Sequence, residues 1–114
     1  MILEITSNIN YIAGILAQRQ AARRPVFGQA WMGEALLGTI SIVDRIYRNG
    51  GTDLEWNSLR HNFLIMSLHC SRWCPEVMPD IKDSQRRIDT IIKLRTTWSA
   101  SVLESAYRQE AIDR

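Results

Sequence analysis

This chain of 114 residues has little cysteine, proline or lysine, and each scarcity excludes something. Its two cysteines, Cys70 and Cys74, stand four residues apart. On a helix their sulfurs do not meet in a disulfide, and there is no second pair for a disulfide scaffold. No apolar run approaches the roughly 18 residues needed to span a membrane as a helix. The opening MILEITSNINYIAG lacks the basic stretch of a signal peptide. No Asn-x-Ser/Thr sequon occurs. These absences predict a cytoplasmic protein, of its own organism or of a host cell, with no membrane partner.

Catalytic signatures are missing too. The sequence has no glycine-rich phosphate loop, no Gly-x-Ser-x-Gly elbow, no His-Glu-x-x-His and no Glu-x-x-His pair. His61, His69, Cys70 and Cys74 are metal-binding types within 14 residues, but on a helix the histidines point away from the cysteine side. Neighbouring His69 and Cys70 diverge by about 100°, and no third residue orients a base. The expectation is no catalytic residue, no metal and no cofactor, and hence a protein that is not an enzyme.

The formal charge is only +2, from 14 basic and 12 acidic residues. That sum does not imply a nucleic-acid binder. Twelve of the 14 basic residues are nevertheless arginine, whose planar fork of donors suits interfaces and phosphates. A GC-rich genome produces the same bias. Apolar residues make up 46% of the chain, enough for one modest core in a single domain spanning 1–114.

Breakers fall at Arg23-Arg24-Pro25, Asn49-Gly50-Gly51 and Cys74-Pro75 through Pro79. They leave four segments of helical periodicity, at about 3–22, 28–48, 53–73 and 84–112. In the first, Ile5, Ile9, Ile12 and Leu16 form one stripe. In the second, Leu36, Ile40, Val43 and Tyr47 do the same, and the Gly-Gly pair supplies the left-handed close. Thr52 and Glu55 match a capping box at the start of the third. Its seam is Leu59, Phe63, Met66, Cys70 and Trp73, with Leu64, Leu68 and nearby Ile65 on the far side. The fourth, capped by Asp83 or Ser84, carries Ile88, Ile91, Ile92, Trp98, Val102 and Ala106 on one face. Its length makes it overhang the others. The pattern predicts an all-α fold, either a four-helix up-down-up-down bundle or a helical array with a long C-terminal helix.

Two surfaces stand out. Leu64, Ile65 and Leu68 either bind a partner or make the third helix central in the bundle. Trp31, off its helix's main stripe, and Arg95, inside an apolar arc, are further interface candidates. Arg95 either pairs with Asp44, protrudes into an interface, or lays its stem on the core with its head in water. The second surface is a basic pole. If the helices alternate in direction, Arg19, Arg23, Arg24, Arg72, Arg86 and Arg87 gather at one end, fit for nucleic acid or an acidic protein surface. Basic residues at helix C-termini also arise from the helix dipole alone.

The reading is a non-enzymatic interaction module with a protein partner: an adaptor, an accessory subunit, or a small inhibitor of the kind phages encode. Self-association through the same surfaces is a further expectation. The alternative is a small subunit of a nucleoprotein complex that touches nucleic acid through its arginine-rich pole.

Overall fold

A computed structural model describes the backbone of residues 2–21 and 30–113 and the side-chain surroundings of residues 2–19 and 35–98. It contains α1 (Ile2–Ala21), α2 (Ala30–Asn49), α3 (Asp53–Trp73), a 3₁₀ turn (Pro75–Val77) and α4 (Met78–Asp113). The all-helical architecture is as the periodicity requires, with no strand among the described residues. Each helix touches two others: α3 lies between α2 and α4, and α1 closes the ring against both. Polar contacts tie the helices to one another at several levels. Arg19 meets the end of α3 while Asn8 meets Ser84 further along α4. Arg45 near the end of α2 meets Glu55 at the start of α3, and Arg95 reaches back to Asp53.

The core is made by the stripes. Ile5, Ile9, Ile12 and Leu16 of α1 share one buried core with Leu59, Phe63, Met66 and Cys70 of α3 and Ile81 and Ile88 of α4. Trp73, assigned to the α3 seam, is only partly buried, and Trp56 takes a core place instead. The α2 stripe is rotated from the one expected. Thr39, Ile42, Val43 and Ile46 are buried, whereas Ile40 is 38% and Tyr47 61% exposed. A two-sided contact, with α1 on one flank and α3 on the other, selects the residues between the flanks rather than the most hydrophobic series. Thr39 is accommodated because its hydroxyl donates to Ala35 O at 2.7 Å.

Between α2 and α3 the chain turns through Gly50 and Gly51, both at positive φ. A Cβ on Gly51 would stand 2.9 Å from both Ile46 Cγ1 and Trp56 Nε1. Glycine is therefore required twice there, for its conformation and for its size. Thr52 completes the expected capping box with Glu55 and fixes the start of α3.

The fourth helix departs most from expectation. It begins at Met78, not near Asp83. Pro79 sits in its first turn, where a missing N–H leaves no intrahelical bond unmade. Ser84, expected as a cap, is interior, fully buried, and accepts a hydrogen bond from Asn8 Nδ2 at 2.9 Å. At 36 residues α4 is about 54 Å long, against about 30 Å for its neighbours. It continues 18 residues beyond Arg95, whose bond to Asp53 marks the end of the bundle. The molecule accordingly reaches 70 Å in its longest dimension. Trp98, placed by its spacing with the buried face, stands on this overhang and is 69% exposed.

Candidate protein-interaction surface

The outer side of α3 is built by its own spacing. The buried Leu59, Phe63, Met66 and Cys70 occupy one arc of the helix, and Leu54, Leu64 and Leu68 project from the opposite one. Leu64 is 51% and Leu68 66% exposed, one turn apart. Ile65 turns partly inward and packs on the core, so it belongs to the outer face only at its edge. Leu54 was not among the sequence candidates. The heptad Leu54–His61–Leu68 was the signal that could have found it. Exposed Arg60 and Arg72 border the ridge, the latter with its guanidinium 5.0 Å from the Trp73 ring centroid.

Beside this ridge, the seam between α3 and α4 is open. Asp53, Trp56 and Asn57 with Ile92, Arg95 and Thr96 line a hollow near the end of the bundle. A second hollow, about 530 Å³, is walled by Asn57, Arg60, His61 and Leu64 with Gln85 and Asp89. Asn57 lines both hollows.

Arg95 does not pair with Asp44. Its Nε donates to Asp53 Oδ1 at 2.8 Å and its Nη2 to Gly51 O at 3.3 Å. Asp44 faces outward and pairs with Arg48 one turn on. The register of α2 is the reason: the rotation that exposes Tyr47 also carries Asp44 out of reach. Trp31, Arg23 and Arg24 lie outside the residues whose side chains are described.

The arginine pole is not assembled as drawn from the sequence. Arg19 donates to Trp73 O at 3.0 Å and pairs with Glu76, so it closes the C-terminal end of α3 together with the 3₁₀ turn. Arg72 is at that same end. Arg86 and Arg87 are elsewhere. Because α4 starts at Met78, they fall more than two turns into the helix, both bonded to Asp83. Asp83 also accepts from Asn8 Nδ2 at 2.9 Å. The Arg87 bond first, then that from Asn8, holds the Asp83 carboxyl down at about 2. These residues tie α1 to α4, a polar knot that no sequence signal marked.

Among the described residues no group of three or more His, Cys, Asp or Glu converges as a metal site. Cys70 and Cys74 are free, buried thiols. Burial pushes Cys70 up to about 11, and burial plus donation to Glu76 Oε1 at 3.2 Å pushes Cys74 up to about 12. Neither is a thiolate at neutral pH, so neither is a poised nucleophile. No described helix is long and apolar enough to cross a membrane. No protein-family model, curated protein or solved structure matches this chain.

Proposed function

We propose that this protein is a helical interaction module that acts by binding a protein partner, as an accessory subunit or a small inhibitor does, and not by catalysis. One observation carries the reading: Leu64 and Leu68 stand half or more exposed on α3, directly opposite its buried seam. Scattered surface leucines need no explanation, but two in adjacent turns, with Leu54 above them, form a ridge of helical spacing. Bordering Arg60 and Arg72 favour a partner with an apolar furrow and an acidic rim. The nucleic-acid reading has less support. Among the described residues, Arg19 and Arg72 lie at one place and Arg86 and Arg87 at another, and Arg19, Arg86 and Arg87 each face a carboxylate of the chain itself.

The test compares proteins captured by the wild type with those captured by Leu64→Asp and Leu68→Asp. A genuine partner is lost with both variants. Once purified, it binds the wild type and loses roughly 30-fold or more in affinity to either variant, as a buried interface anchor does. If every captured protein binds the variants equally, the ridge is not the binding face.

A further inference from the structure

We draw no further inference here: the strongest candidate, the apolar hollow between α1 and α2 lined by Leu3, Ile9, Ile40, Val43 and Tyr47, is an unpartnered face whose carboxylate, Asp44, is already paired with Arg48, and nothing in the structure shows what covers it.

Discussion

Arg95 Nε lies 2.8 Å from Asp53 Oδ1, and the same guanidinium reaches Gly51 O. One arginine thus joins the last bundled turn of α4 to the α2–α3 turn and marks where α4 leaves its neighbours. Because both side chains remain substantially exposed, the pair contributes little to stability. Arg95→Met is expected to lower it by about 1 kcal/mol or less in urea unfolding. Asp44→Asn should have no effect on the Arg95 environment. A large loss with Asp44→Asn would mean the two groups meet after all.

The Gly51 position gives a sharper contrast. Gly51→Ala meets both an unfavourable positive φ and contact with Ile46 and Trp56. It should destabilise by at least about 1–2 kcal/mol. Gly14 lies within α1 with open space around it. Gly14→Ala should stabilise by up to about 1 kcal/mol through helix propensity alone. Thermal unfolding of the two variants side by side reads both signs.

Acid should loosen the α1–α4 contact. Asp83 is lowered from an ordinary 3.8 to about 2 in the folded chain. A carboxyl whose folded value is depressed adds stability that is fully present above the unfolded value and is lost as pH falls through the folded one. The wild type should therefore lose stability between about pH 4 and pH 2. Asp83→Asn should be less stable at neutral pH and show a shallower slope over that interval. Urea midpoints at several pH values check this, and equal slopes would remove Asp83 from the account.

The thiols offer a test of the core. With Cys70 near 11 and Cys74 near 12, both are protonated and shielded at pH 8. A thiol reagent should label neither in native protein at a rate above that of unfolding, and both at once in denaturant. Rapid native labelling of Cys74 would show that the 3₁₀ turn opens.

Much of this architecture was legible in the sequence, for reasons that differ by element. The α3 boundaries followed from a capping box and a following proline, signals that act within four residues. The α1 stripe was legible because its buried residues keep a clean 4-3-4 spacing. The α2 stripe misled because Ile40 and Tyr47 are apolar without being central. Only the positions of two flanking helices decide between adjacent residues on a wheel. The start of α4 misled because Pro79 was taken as a breaker when it sits in a first turn. That shift of more than a turn carried Arg86 and Arg87 away from the pole to which sequence order assigned them. The Leu64 and Leu68 ridge was visible as a second apolar side of α3, but whether it was core or surface depended on the number of neighbours. The polar knot of Asn8, Asp83 and Ser84 spans more than 70 residues and left no local trace.

The central claim is that the outer leucines of α3 serve a partner and not the fold, and the Leu64→Asp/Leu68→Asp double variant measures it most directly. Its helical circular dichroism should match the wild type, and its urea unfolding free energy should fall by no more than about 0.5 kcal/mol per site, as at exposed positions. Partner binding should be lost. A protein that unfolds, or that loses several kcal/mol as core leucines do, would show these side chains to be part of the core and leave the module without its proposed face.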